Sequence, residues 1–290
     1  MARSYARSNA RRAMGFALAA SIVVSFADVF AKWLVAEYPV VMVCWSRMGF
    51  ITLILGAVGT AQLGPRIVRP NALRLQVLRG LASVVGTSAA FLGFRLMPLA
   101  ECLAIIMVAP VLANLLSHWW LDERGDSRSW FAAAASFVGV LVIVRPGFGV
   151  FSWEVLLPVV CALSLAFFQA CTRALSGHDD SRVTAFFGPA VAFCVFSLAM
   201  PFNWVMPRSW FDAGLFVALG AIVAGVQVLQ TQAYRHGTTH VIAPFTYVGI
   251  VNSVWLGWLV FGAVPDAWSF VGMAVIAGAG VAMVLGGRKS

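Results

Sequence analysis

Ten long apolar runs divide the chain, at roughly 14–35, 39–61, 73–94, 98–121, 129–145, 153–172, 183–202, 211–233, 239–261 and 267–286. As a helix, about 20 residues rise about 30 Å, the thickness of a bilayer's hydrocarbon core. Most runs reach that length, and the run at 129–145 is the shortest. Connections are mostly under ten residues, too short for an inserted soluble domain. The runs are continuously apolar, where the strands of a membrane barrel would alternate. Composition agrees. The chain is 61% hydrophobic and 11% charged, whereas a soluble domain carries about 25% charged residues. The bilayer must act as solvent for much of the surface. The expected fold is an all-α integral membrane protein of ten transmembrane helices.

The formal net charge of +9 does not point to nucleic acid. The basic residues gather on no polar module; they stand at the ends of apolar runs, where they set membrane orientation. With the N-terminus cytoplasmic, the inner segments hold Arg3, Arg7, Arg11, Arg12, Arg66, Arg69, Arg74, Arg124, Arg128, Arg173, Arg182, Arg235, Arg288 and Lys289. The outer segments hold only Arg95, Arg145 and Arg208. This asymmetry places both termini inside. MARSYARSNARR resembles the basic start of a signal peptide, but the long apolar run after it reads as a retained first span. The five cysteines all lie in apolar runs without a CxxC spacing. They read as buried hydrophobes, with no metal site expected.

A weak internal repeat accompanies the ten runs. A shift of 140 sets Arg95 on Arg235, Asp126 on Asp266 and Ser129 on Ser269. A shift of 141 sets Phe26 on Phe167, Asp28 on Gln169, Lys32 on Arg173 and Leu34 on Leu175. The spacing divides the chain into five spans over 1–147 and five over 148–290. Five is odd, so the second set lies inverted in the bilayer, an arrangement typical of carriers with a midplane site.

Two stretches carry a family resemblance. The first is MPLAECLAIIMVAPVLANLLSHWWLDER (97–124) followed by FVGVLVIVRPG (137–147). The second is FTYVGIVNSVWLGWLVFGAVPDAWSFVGMAVIAGAGVAMV (245–284). The chain resembles the ten-span EamA-type branch of the drug/metabolite transporter superfamily along its whole length. It departs from the pattern at Ala263, where members often carry Glu, and at Ile250, opposite the mid-helix Pro110. The resemblance implies a bacterial inner-membrane carrier that exports small metabolites by alternating access, foremost aromatic and neutral amino acids. Uptake of a metabolite such as S-adenosylmethionine is the alternative it leaves open. No cofactor is implied, and the expected state is a monomer or weak homodimer in lipid. The motifs HExxH, GxSxG and GxxxxGK[ST] are absent, and no filter-like loop occurs, so neither an enzyme nor a channel is expected.

The ionisable residues inside the runs are the leading pathway candidates, because an unpaired charge there costs at least about 2.5–3.5 kcal/mol. Folding the first hairpin about its AEYPV turn sets Asp28 opposite Arg47, and Lys32 is one turn beyond Asp28 on the same face. The acid therefore has two candidate cationic partners, as a structural pair or as a site for a zwitterion. Arg79, about a third of the way into its span, reads first as a snorkelling side chain. Pro110 leaves the carbonyl of Ile106 without a donor and bends its helix, with Asn114 and His118 below it. Pro244, a turn and a half before Ile250, is the second hinge candidate. Trp45, Gln169, Gln227, Gln230, Tyr247, Asn252 and Trp255 complete the candidate pathway as amides and aromatics suited to a neutral or aromatic zwitterion.

Overall fold

The structure is a computed structural model. It describes residues 2–120, 127–144, 153–175, 177–236, 245 and 248–286. Side chains are described from residue 12 onward, except at 114, 117–129, 132–133, 144, 231, 234–235 and 283–286.

Among the described residues the chain is helical, with no strand. The elements are α1 (Ala2–Glu37), α2 (Val40–Leu63), α3 (Leu73–Leu96), α4 (Leu99–Ile106), α5 (Ala109–Trp120), α6 (Ser127–Val144), α7 (Leu156–Leu175), α8 (Ser181–Ala199), α9 (Trp210–His236), α10 (Val248–Phe261) and α11 (Ala267–Gly286). Among the described residues, six stretches are long and apolar enough to cross a bilayer: Arg12–Glu37, Val40–Val68, Leu73–Leu96, Trp153–Leu175, Ser181–Phe202 and Trp210–Gln230. Four shorter apolar helical stretches accompany them, Leu99–Ala113, Ala134–Ile143, Val248–Phe261 and Ala267–Ala282.

Proline and glycine set the breaks. Pro39 caps α2 at its first turn. At the end of α2, Gly64 takes φ +58° and donates its N–H to the carbonyl of Thr60, a conformation glycine adopts without a Cβ penalty. Met97 is extended before Pro98 and closes α3, as a residue preceding proline must. The run at 98–121 is not one helix: α4 stops at Ile106, and α5 begins at Ala109 with Pro110 in its first turn.

The helices pack across the two halves of the chain. α1 lies along α9, α3 along α7, α2 along α8 and α9, and α6 along α11. Small residues stand at these crossings. A Cβ on Gly220 of α9 would meet Phe50 of α2 at 2.2 Å, and one on Gly272 of α11 would meet the Gly139 carbonyl of α6 at 2.7 Å. Close approach of this kind is how helices gain van der Waals contact where lipid removes the hydrophobic drive. Gly278 of α11, four residues before Ala282, has nothing within 4 Å. The main apolar cluster fills the half of the bundle that ends at Tyr38, through Leu34, Phe94, Leu99, Met200 and Phe216. Large hydrophobics such as Leu53, Phe131, Leu198 and Trp210 cover the exterior, the inside-out surface that a lipid solvent permits.

Candidate functional site

A cavity of about 360 Å³ lies at the centre of the bundle. α1, α2, α3, α4, α7, α8 and α9 all contribute to its wall. Its charged and amide side chains are Asp28, Arg47, Arg79, Gln227 and Gln230, and the remainder is mostly apolar. A larger groove of about 560 Å³ runs between α10 and α11, lined by residues such as Val251, Trp255, Trp258 and Phe270. It holds no ionisable group, and Trp255 and Trp258 are more than half exposed on the apolar exterior. The central cavity is therefore the candidate site, and the groove belongs to the apolar exterior.

The two arginines are held differently. Arg79 is buried and held by three contacts. Its Nε donates to Thr172 Oγ1 at 2.7 Å, its Nη1 donates to the Thr184 carbonyl at 2.6 Å, and its guanidinium lies 4.0 Å over the Phe168 ring. Charge-assisted hydrogen bonds contribute about 1.5–3 kcal/mol each and a desolvated cation–π contact about 2 kcal/mol. Together these offset much of the insertion cost of one charge. The snorkelling expectation for Arg79 is corrected: the side chain crosses to the second half of the chain instead of reaching for headgroups. Pro189 of α8 lines the cavity beside Ala185, whose carbonyl it deprives of a helical donor.

Arg47 stacks on Phe91 at 5.2 Å, but its buried Nε has no hydrogen-bond partner among the described residues. Asp28 is close enough for the two charges to act on each other. Neither residue makes a direct ion pair within the described structure. A locked pair between the first two spans is thus not what forms, and both side chains line the cavity.

Lys32 is not the partner of Asp28 either. Its Nζ donates to the carbonyls of Phe94 at 2.6 Å and Met97 at 2.7 Å, and it lies 5.4 Å over the Phe261 ring. Pro98 explains the first bond, because a proline four residues on cannot donate to the Phe94 carbonyl. The ammonium fills the acceptors left at the end of α3, where the helix dipole also favours a cation.

The other candidates separate. Gln227 and Gln230 reach the cavity from α9. Trp45 turns away to α8, donating from Nε1 to Ser197 Oγ at 2.8 Å and stacking on Phe193; indole N–H and ring both find partners there, so it does not line the cavity. Gln169 is half-buried on α7 and outside the cavity wall. Asn252 stands on α10 with its buried Nδ2 unpartnered, also outside that wall. Asn114 and His118 lie on α5, but their side chains fall outside the described residues, as do Pro244 and Tyr247. Nothing in the sequence marks Thr172, Thr184 or Phe168 as the cradle of Arg79. A proline at 189 inside an apolar run was the one visible sign of that wall.

Polar contacts tie the two ends of the bundle. At the Tyr38 end, Tyr38 Oη donates to Asp212 Oδ2 at 2.7 Å and accepts from the Arg208 backbone N–H at 2.8 Å, and Arg208 pairs with Glu37. At the opposite end, Asp179 accepts from the Asn71 backbone N–H at 2.6 Å and from Gln76 Nε2 at 2.9 Å. Gln76 also donates to Thr184 Oγ1 at 3.1 Å, next to the carbonyl that holds Arg79.

Comparison with known proteins bears on what such a cavity serves. Residues 11–145 match the EamA-like transporter family. The chain is 25% identical over 260 residues to a riboflavin transporter of Rhizobium johnstonii, covering 89% of this chain and 85% of that protein. It is 27% identical over 271 residues to the pseudopaline exporter CntI of Pseudomonas aeruginosa, covering 92% and 94%. It is 22% identical over 277 residues to an S-adenosylmethionine uptake transporter of Rickettsia bellii, covering 96% and 94%. A crystal structure of a protein 18% identical superposes with a TM-score of 0.65, covering 97% of this chain and 98% of that one, which shows a shared fold. These relatives lend no support to the export of aromatic and neutral amino acids in particular. With the family match over residues 11–145 and transporters aligned along most of the chain, this protein is similar to the EamA-like transporters.

Proposed function

We propose that this protein is an inner-membrane carrier that moves a small amphipathic metabolite with an amino-acid head group through the central cavity by alternating access. The observation that carries this is a pair of ionisable side chains lining one cavity, Arg47 with an unpartnered buried Nε and Asp28 within its electrostatic reach. A carboxylate accepts paired hydrogen bonds from a guanidinium, and a carboxylate such as Asp28 accepts from an ammonium. The stacked Phe91 and the apolar remainder of the wall suit the substrate's body. The cavity falls within the range of about 300–1,000 Å³ common to small-molecule sites. Free amino acids and S-adenosylmethionine share the head group this reading requires, and riboflavin lacks it.

The helix packing supports two inverted repeats of five spans, 1–147 and 148–290. Exchanging the halves turns the α1–α9 pair into α7–α3 and the α2–α9 pair into α8–α3. It leaves α2–α8 and α6–α11 as they are, and all of these pairs are packed. With both termini cytoplasmic, as the arginine asymmetry suggests, the Tyr38 end faces outward and is the closed end here. α1 packs on α3 at that end, whereas α7 and α9, their inverted counterparts, show no comparable packing among the described residues.

The test is counterflow in proteoliposomes loaded with S-adenosylmethionine, aromatic or neutral amino acids, or riboflavin. The reading expects saturable accumulation of a head-group-bearing solute that Arg47→Gln and Asp28→Asn abolish. Carriage of riboflavin that survives both substitutions would sink it.

A further inference from the structure

We propose that Lys32 is the latch that closes the Tyr38 end, and that its release delivers its ammonium to Asp28. The proposal rests on the reading of the cavity as a substrate site. One ammonium ties three helices: it belongs to α1, it binds two carbonyls at the end of α3, and it lies over a ring of α10. The side chain of Phe94, whose carbonyl it holds, lines the cavity. The latch therefore sits on the cavity wall, and that end cannot open without parting α1 from α3.

An ammonium withdrawn from those carbonyls must find another partner, since a bare charge in the membrane interior is costly. Asp28 stands four residues back on α1, on the same helical face. In the closed state Lys32 is spent on α3, which leaves Asp28 available to a substrate's cationic group. In the open state Lys32 competes for Asp28 and displaces that group. The substrate is then loaded while the Tyr38 end is shut and released when it opens, so the same lysine links gate to site.

The experiment follows opening without any substrate. Cys102 is fully buried on α4 at the Tyr38 end, and a Cβ on Gly93 of α3 would stand 2.8 Å from its sulfur. In a chain keeping Cys102 as the sole cysteine, modification by a membrane-impermeant maleimide added from the outside reports opening of that end, which exposes the thiol buried beside α3. Lys32→Met should speed modification by about tenfold, the shift that loss of one charge-assisted hydrogen bond produces. Lys32→Arg should stay near the parent rate. Asp28→Asn should slow it below the parent, because the open state loses the anion that receives the ammonium. A parallel chain keeping only Cys171, fully buried on α7, should react equally in all variants. An unchanged rate in Lys32→Met, an acceleration in Asp28→Asn, or a matching acceleration at Cys171 would each overturn the latch. If the labelling follows expectation while no head-group solute is carried, the latch stands and the substrate reading alone falls.

Discussion

A Cβ on Gly188 would stand 2.6 Å from Nη1 of Arg79 and 3.3 Å from its guanidinium carbon. The missing side chain on α8 is therefore what lets the arginine lie against that helix and reach the Thr184 carbonyl. Gly188→Ala should destabilise the protein by about 1–3 kcal/mol, the usual cost of overpacking. The same change made on Arg79→Met should cost much less, because the flexible thioether can move aside. A double-mutant cycle on detergent-purified protein, read by thermal unfolding, should show this coupling. Additive losses would mean that Gly188 serves some other contact.

Glycines should divide by sign according to whether a neighbouring helix lies against them. Gly272→Ala drives a methyl into the Gly139 carbonyl of α6 and should cost about 1–3 kcal/mol. Gly225 has nothing within 4 Å of an added Cβ, so Gly225→Ala should be neutral or stabilise by up to about 1 kcal/mol through lower chain entropy. Unfolding temperatures of the two variants check the contrast.

Trp45 should matter for stability and not for substrate. Trp45→Phe loses the bond to Ser197 but keeps a ring on Phe193. The expected loss is about 0.5–1.5 kcal/mol, with KM for counterflow unchanged. A large rise in KM at full stability would return this residue to the substrate path.

Tyr38 gives the closed end an alkaline limit. Burial holds its phenol above the ordinary value, with the Arg208 backbone N–H pulling the other way. A raised value in the folded protein means that the neutral phenol is the favoured form. Its contribution is complete below a phenol's usual pKa of about 10 and is lost as pH rises through the higher folded value. The stability difference between wild type and Tyr38→Phe should therefore hold from pH 7 to 9 and shrink above pH 10. A difference that grows with alkalinity would contradict the arrangement.

Much of the architecture was legible because it depends on local quantities. Apolar helical runs and breaks at proline and glycine follow from residues near one another in the chain. Hydrophobicity over about 20 residues decides what enters a bilayer, whatever the helix later touches. The same reasoning brought Asp28, Arg47, Gln227 and Gln230 into view, and all four line the cavity.

Partners were another matter. Each residue turns a helix face by about 100°, so a small rotation decides whether a side chain meets the cavity, a neighbouring helix or lipid. Trp45 and Trp255 are both aromatics deep in apolar runs, yet one turns to Ser197 and the other to the exterior. Arg79 looked like a group reaching for headgroups, until α7 and α8 supplied Thr172, Phe168 and a carbonyl from about a hundred residues away.

Lys32 draws the line between the two most clearly. The sequence by itself determined that an acid and a base lie four apart in one membrane helix, and that neither can stand bare there. Only the tertiary structure decided between their partners. It brings the end of α3, with an acceptor freed by Pro98, within 2.6 Å of the ammonium across 62 residues of chain. Two carbonyls at a helix end satisfy the lysine there, and Asp28 is left to the cavity.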